Sequence, residues 1–89
     1  MFTSKEKKIL EIPYFKIIRI NEDFYEIQSK NTKHCWLIWK NKIIENNTRI
    51  TIYHKHKYTD NSYHKHGKAI TVSSAIQQIM SHDSYVLNQ

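Results

Sequence analysis

The sequence predicts an α+β fold, an antiparallel sheet of four to five strands with one C-terminal amphipathic helix (about residues 72–82) packed on it. Short stretches rich in β-branched and aromatic residues alternate with turn residues over most of the chain, which is typical of strands. After them, apolar residues recur at the spacing of one helix face, at Val72, Ala75, Ile76, Ile79 and Met80. With 89 residues, the chain is expected to form one small domain over residues 1–89.

Local residue patterns predict the bounds of the elements. A charged segment that stops before Pro13 predicts a short N-terminal helix over Ser4–Glu11, with Ser4 as its N-cap. Thr71 is a good N-cap for the C-terminal helix, and Tyr85–Leu87 is expected to follow that helix as a short apolar tail. The predicted strands are Tyr14–Ile20, Phe24–Ser29, His34–Lys42, Arg49–Lys57 and Ser62–His66.

The third predicted strand carries the single cysteine and both tryptophans. Alternation places Cys35, Leu37 and Trp39 on one face, and His34 and Trp36 on the other. We expect Trp39 to lie in the core and Cys35 to be a buried structural residue. Since His34 and Cys35 point to opposite faces, they are not expected to form a nucleophile and base pair.

Composition and the N-terminal residues predict the compartment in which the protein works. A single cysteine allows no intrachain disulfide, and the charged N-terminus lacks the apolar run of a secretion signal, so a cytoplasmic protein is expected. The longest apolar runs are far shorter than the roughly 20 residues of a membrane helix, so no membrane partner is expected.

The charge predicts a polyanionic partner. The net charge is +6 with the histidines neutral, and lysine supplies twelve of the fourteen basic residues. Lysine contacts phosphate as a point charge, so backbone contact with RNA or DNA is expected rather than base reading. The charge is uneven along the chain, because only Asp60 and Asp83 among the acidic residues come after position 50.

Residues 53–68 contain the letters YHKH twice, with four histidines and four lysines in all. A basic hairpin with tyrosines that can stack on bases favours a small nucleic-acid-binding protein with little sequence specificity over an enzyme. The predicted nucleic-acid-binding residues are Tyr53, Lys55, Lys57, Tyr63, His64, Lys65, His66 and Lys68.

The register of this hairpin decides which side chains share a face. A three-residue turn at 59–61 places the four histidines of the repeat together, which predicts a zinc or nickel site, whereas nucleic-acid binding needs no cofactor. A two-residue turn at 60–61 instead sets lysines opposite histidines and makes one face strongly basic. A β-bulge in either strand again changes which side chains share a face. Gly67 is expected to help the chain leave the sheet. The candidate metal ligands are His54, His56, His64 and His66.

A ribonuclease is an alternative, because two histidines and a lysine around a phosphate suffice for metal-independent RNA cleavage. The segment HGKAITVSSAIQQI, residues 66–79, resembles the strand-to-helix junction of the HicA toxins, small mRNA interferases with a double-stranded-RNA-binding-like fold. The resemblance implies ribonuclease activity and nominates His34, although Asn31–Lys33 lacks the glycine-serine that precedes the catalytic histidine in that family. The candidate catalytic residues of this alternative are His34, His64 and His66.

The charge also suits a protein partner. An acidic surface can bind the lysine-rich segment, which predicts an inhibitor or regulator of a nucleic-acid-handling enzyme as a further alternative. An exposed fourth or fifth strand can pair with the same strand of a second copy, so a homodimer is expected if that edge stays open.

Overall fold

A computed structural model describes all 89 residues and confirms the predicted α+β fold. The five strands are antiparallel and lie side by side in chain order. Neither helix is long and apolar enough to cross a membrane. The elements are α1 (Ser4–Leu10), β1 (Phe15–Ile20), β2 (Phe24–Ser29), β3 (Cys35–Glu45), β4 (Thr48–Lys55), β5 (His64–Ala69) and α2 (Val72–Leu87).

Both helices pack on the same face of the sheet, where a cluster of 14 buried residues forms the core. Ile27, Ile38 and Ile52 supply this face from the three central strands, and each is fully buried. From α2, the core receives the buried residues that the helical spacing predicts: Val72, Ala75, Ile76 and Ile79. The opposite face of the sheet carries no helix, and we call it the helix-free face.

α1 begins with a capping box, and its N-cap lies one residue before the predicted one. The N-cap is Thr3, not Ser4: the Thr3 Oγ1 accepts from the Glu6 N–H at 3.1 Å, and the Glu6 carboxylate accepts from the Thr3 N–H at 2.8 Å. Both residues are good caps, but only Thr3 has a glutamate three positions later. The Glu6 carboxylate also pairs with the Lys40 ammonium at 2.6 Å, which ties α1 to β3.

Replacing Thr3 with alanine is therefore expected to lower the free energy of unfolding by about 1 kcal/mol. The neighbouring change Ser4→Ala is the control and is expected to stay within about 0.5 kcal/mol of the natural protein, because Ser4 takes no part in the cap. Urea denaturation followed by circular dichroism measures both. Equal losses from the two variants would contradict the cap assignment.

The C-terminal elements differ from the prediction in their bounds. α2 continues through Tyr85–Leu87, so the expected apolar tail is the last turn of the helix. Gly67 does not lead the chain out of the sheet, because it lies within β5 opposite Ile52. A Cβ atom at Gly67 would lie 3.0 Å from Oε1 of Gln78, so the glycine lets α2 pack closely on the strand.

The hairpin of the YHKH repeat adopts neither predicted register. β4 and β5 are joined by residues 56–63, and His54 pairs with His64. A bulge between Ile52 and Tyr53 then shifts the pairing by one residue. The long connection is held by its own hydrogen bonds: the Asp60 carboxylate accepts from the Lys57 N–H at 3.1 Å, and the Lys57 carbonyl accepts from the Asp60 N–H at 3.0 Å. Such local bonds replace the ladder bonds of a tight turn.

Trp36, and not Trp39 as expected, is the tryptophan that lies in the core. Trp36 is the fully buried one, and its indole N–H donates to the hydroxyl of Ser29 at 3.0 Å. Trp39 lies on the helix-free face, half-buried, with its ring stacked on Phe24 at 5.4 Å between centroids. Alternation along β3 is as predicted, but the core lies on the face of Trp36 and Ile38.

Candidate functional site

Five of the six histidines meet at one end of the sheet, on the face that the helices cover. Neighbouring rings lie 4.7–5.5 Å apart between centroids. The members come from the loop before β3, from the end of β4 and the residue after it, from β5 and from α2. We call this group the histidine cluster: His34, His54, His56, His66 and His82.

His54 is the most deeply buried member of the cluster. Its ring is buried and stacks on Trp36, with 4.2 Å between centroids and 27° between planes. The Nδ1 of His34 lies 2.9 Å from the Nε2 of His54, which is hydrogen-bond distance, so one of these nitrogens carries the shared proton. His82 covers the pair from α2, and its Nδ1 is buried without a hydrogen-bond partner.

A buried carboxylate holds the loop that carries His34. Asp83 is fully buried and accepts from the Tyr14 hydroxyl at 2.6 Å and from the Thr32 hydroxyl at 2.9 Å. The Thr32 hydroxyl in turn accepts from the backbone N–H of His34 at 3.2 Å. Burial and the bond to Asp83 raise the pKa of Tyr14 to about 12. This chain of bonds fixes the position of His34 beneath α2.

The surroundings keep the inner histidines neutral. Burial, followed by the neighbouring imidazoles, lowers the pKa of His54 to about 3. Burial also lowers the pKa of His34 and of His66, with His82 adding to both shifts. A neutral imidazole keeps one nitrogen lone pair, so these rings can accept a hydrogen bond or bind a metal ion.

The lysines of the repeat lie away from the cluster. Histidine and lysine alternate in YHKH, so a strand sends them to opposite faces. Lys55 and Lys65 lie on the helix-free face, and the charged groups that shift the pKa values of the cluster histidines are other histidines and Asp83. The repeat therefore places its histidines on a different face of the sheet from Lys55 and Lys65.

Ring nitrogens of His34, His54 and His82 lie within 4.8 Å of one another. Of the predicted metal ligands, the structure brings His54, His56 and His66 together. His64 is exposed, and its ring makes none of the ring contacts of the cluster. The sequence prediction left out His34 and His82 as metal ligands. A signal for His82 existed, since it follows Ile79 by three residues and Ala75 by seven and so lies on the buried face of α2.

The helix-free face carries the basic side chains of the repeat beside aromatic rings. Tyr53, half-buried, pairs with Leu37 on one side and with Lys65 on the other. Lys68 pairs with Thr51, and both Lys65 and Lys68 are exposed. In the pairing of β3 with β4, Trp39 lies opposite Thr51 and Leu37 lies opposite Tyr53. Trp39 and Tyr53 are therefore diagonal neighbours on this face. The face therefore presents two rings and two free ammonium groups together.

Two of the predicted nucleic-acid-binding residues, Lys55 and Tyr63, make contacts within the protein on this face instead. Lys55 is only 8% exposed, with its ammonium 4.6 Å from the ring centroid of Tyr63 and 5.4 Å from that of Tyr58. The Tyr63 hydroxyl donates to the Glu26 carboxylate at 2.7 Å, and burial together with this bond raises the pKa of Tyr63. Lys57 is exposed in the loop, whereas His64 and His66 lie on the other side of the sheet.

Most acidic side chains are already bonded to other groups of the chain. Glu11 accepts from the Tyr25 hydroxyl at 2.7 Å, Asp60 closes its own loop, and Asp83 is buried in the bonds described above. Salt bridges engage Arg19, Lys40 and Lys42, which leaves eleven of the fourteen lysine and arginine side chains without one. The surface offered to a partner is consequently basic.

Comparisons with protein-family profiles, with characterised proteins and with solved structures find no match to this chain. The resemblance to the HicA toxins therefore stays a prediction. Cys35 is buried, and burial raises the pKa of its thiol, which does not favour a thiolate nucleophile.

Proposed function

We propose that the protein binds the backbone of single-stranded nucleic acid on the helix-free face. The observation that carries the proposal is the pairing of exposed Lys65 and Lys68 with two partly exposed rings, Tyr53 and Trp39, on a sheet face that no helix covers. Ammonium groups attract phosphates, and aromatic rings on a sheet stack with bases of any sequence.

The spacing suits an extended strand of nucleic acid. Diagonal neighbours on an antiparallel sheet lie about 7–8 Å apart, so Trp39 and Tyr53 offer stacking surfaces to two nearby bases. Lys65 and Lys68 follow along β5 on the same side and can neutralise the phosphates between them. Lysine gives point-charge contact without a fixed fork of donors, so little sequence preference is expected.

The proposal is tested by fluorescence anisotropy of a labelled single-stranded RNA and DNA in EDTA, from about 50 mM to about 300 mM salt. We expect the logarithm of the association constant to fall linearly with the logarithm of the salt concentration. The variant Lys65→Gln/Lys68→Gln is expected to bind about tenfold more weakly at low salt and to show a slope smaller by about 1.5.

The matched control removes the same charge from another surface. Lys7 and Lys8 are exposed on α1, on the opposite side of the sheet, so Lys7→Gln/Lys8→Gln should leave affinity and slope nearly unchanged. Equal weakening by the two double variants would show that only the total charge matters, which rejects the assigned face. Absence of binding at low salt would reject nucleic acid and turn the search to an acidic protein surface.

A ribonuclease remains a second candidate, favoured by the short contact between His34 Nδ1 and His54 Nε2 beside exposed His56. In this case one histidine removes the 2′-hydroxyl proton and another protonates the leaving oxygen. RNA cleavage in EDTA that is lost in His34→Ala and kept in His64→Ala supports it. Intact RNA after long incubation in EDTA would reject it.

A further inference from the structure

We propose that the histidine cluster binds one divalent transition-metal ion of the zinc type, with His34, His54 and His82 as its ligands. The proposal goes beyond nucleic-acid binding, because the cluster and the helix-free face lie on opposite sides of the sheet. Zinc is the ion of choice, since three imidazoles and an open fourth position are a familiar zinc arrangement.

The distances are close to those that zinc requires. Bonds of about 2.0–2.1 Å at tetrahedral angles set the ligand nitrogens about 3.3 Å apart. The nitrogens of His34 and His54 are already 2.9 Å apart, and all three histidines offer nitrogens within 4.8 Å of one another. Binding requires the rings to rotate until the three nitrogens lie about 3.3 Å apart, and the proton shared by His34 and His54 moves to the other nitrogen of its ring. The ligands come from three separate segments, so the fold assembles the site in advance.

An unpartnered buried nitrogen independently indicates a missing ligand. The Nδ1 of His82 is inaccessible to water and has no hydrogen-bond partner. A buried polar atom without a partner destabilises a fold by about 1–3 kcal/mol, so it is rarely left unsatisfied. A metal ion that binds Nδ1 of His82 would give this nitrogen the partner that it lacks.

The surroundings suit a cation that enters from solvent. His56 and His66 are exposed at the rim, where either ring or a water molecule can take the fourth position. The nearby buried carboxylate of Asp83 fixes the loop of His34 and contributes negative charge. Of the lysines of the repeat, Lys55, Lys65 and Lys68 lie on the helix-free face, on the other side of the sheet from the rings.

The test uses the full chain without a histidine tag, treated with chelator and then titrated with Zn²⁺ against a chromophoric competitor. We expect one ion per chain with a Kd below about 1 µM. Saturation should raise Tm by several degrees, because the ion binds only the folded chain. Tryptophan fluorescence should change in step, since the ring of Trp36 stacks on His54. Co²⁺ should give the intense visible bands of four-coordinate cobalt.

Variants distinguish the assigned ligands from a merely histidine-rich surface. His34→Gln and His82→Gln are each expected to weaken Zn²⁺ binding at least about 100-fold. His64→Gln, in the same repeat but outside the cluster, should bind like the natural protein. Failure of the natural protein to bind Zn²⁺ at about 10 µM would overturn the proposal, and this result requires no variant to fold. Equal weakening by His64→Gln would overturn it as well. Neither result bears on nucleic-acid binding measured in EDTA.

Discussion

Replacing Trp36 with alanine is expected to lower the free energy of unfolding by about 3–5 kcal/mol. The side chain is fully buried between the sheet and α2, and its ring contacts His54, His66 and His82. The change removes the largest fully buried side chain and leaves the Ser29 hydroxyl without its indole donor. Domains of this size are stable by only about 5–15 kcal/mol, so much of the total is lost. Urea denaturation with circular dichroism at neutral pH in EDTA measures the change.

Two further variants keep this prediction interpretable if the alanine variant does not fold. Trp39→Ala removes the same side chain from the helix-free face, where the ring is partly exposed, and is expected to cost only about 1–2 kcal/mol. Trp36→Phe keeps an aromatic ring on His54 and loses mainly the bond to Ser29, at a cost of about 1–2 kcal/mol. A loss from Trp39→Ala as large as that from Trp36→Ala would contradict the assigned core.

The sequence predicts the helices and strands better than it predicts which of their faces is buried. Alternation correctly separates the residues of β3 into two faces, yet it does not say which face the helices cover. Both faces of this strand are apolar, with Trp36 and Ile38 on one and Leu37 and Trp39 on the other. The choice depends on where α1 and α2 pack, which is a tertiary effect. By contrast, the helical spacing in α2 has only one apolar face, so its core residues follow directly from the sequence.

The histidine cluster could not be predicted from the sequence for a similar reason. Three of its members lie in or beside the repeat, but the pairing of β4 with β5 depends on the bonds of Asp60 and on the bulge at Ile52. Neither is visible as a short turn motif. His34 and His82 join the cluster from distant parts of the chain, through strand pairing and helix packing.

The alternation within YHKH nevertheless has a plain structural result. Because neighbouring strand residues face opposite ways, Lys55 and Lys65 point to the helix-free face while His54 and His64 point to the helix side. One repeated motif thus builds a basic surface on one side and part of a neutral imidazole group on the other. Nucleic-acid contact and metal binding then need not compete for the same residues.

Acid is expected to destabilise the metal-free protein well before its carboxylates are protonated. In the unfolded chain His54 binds a proton below its ordinary pKa of 6.5, whereas burial in the folded protein lowers that pKa to about 3. Between these values the unfolded state binds more protons, so stability falls as the pH falls. From about pH 7.5 to about pH 5, His54 alone accounts for a loss of about 2 kcal/mol. The lowered pKa values of His34 and His66 act in the same direction.

Burial is the main cause of the lowered pKa of His54, and the groups that face its ring act in the same direction. His34, His56, His66 and His82 surround its ring from the loop before β3, from the connection after β4, from β5 and from α2, and each would repel a proton on it. Asp83 is the acidic group of this region, and its charge acts on His34. Urea midpoints measured in EDTA are expected to fall by about 1–2 M over this pH interval. His54→Phe keeps a ring on Trp36 but cannot bind the proton, so its midpoint should depend less on pH, whereas His64→Gln should retain the full dependence. A midpoint that stays constant from about pH 7.5 to about pH 5, or an unchanged dependence in His54→Phe, would show that His54 is not held neutral by burial.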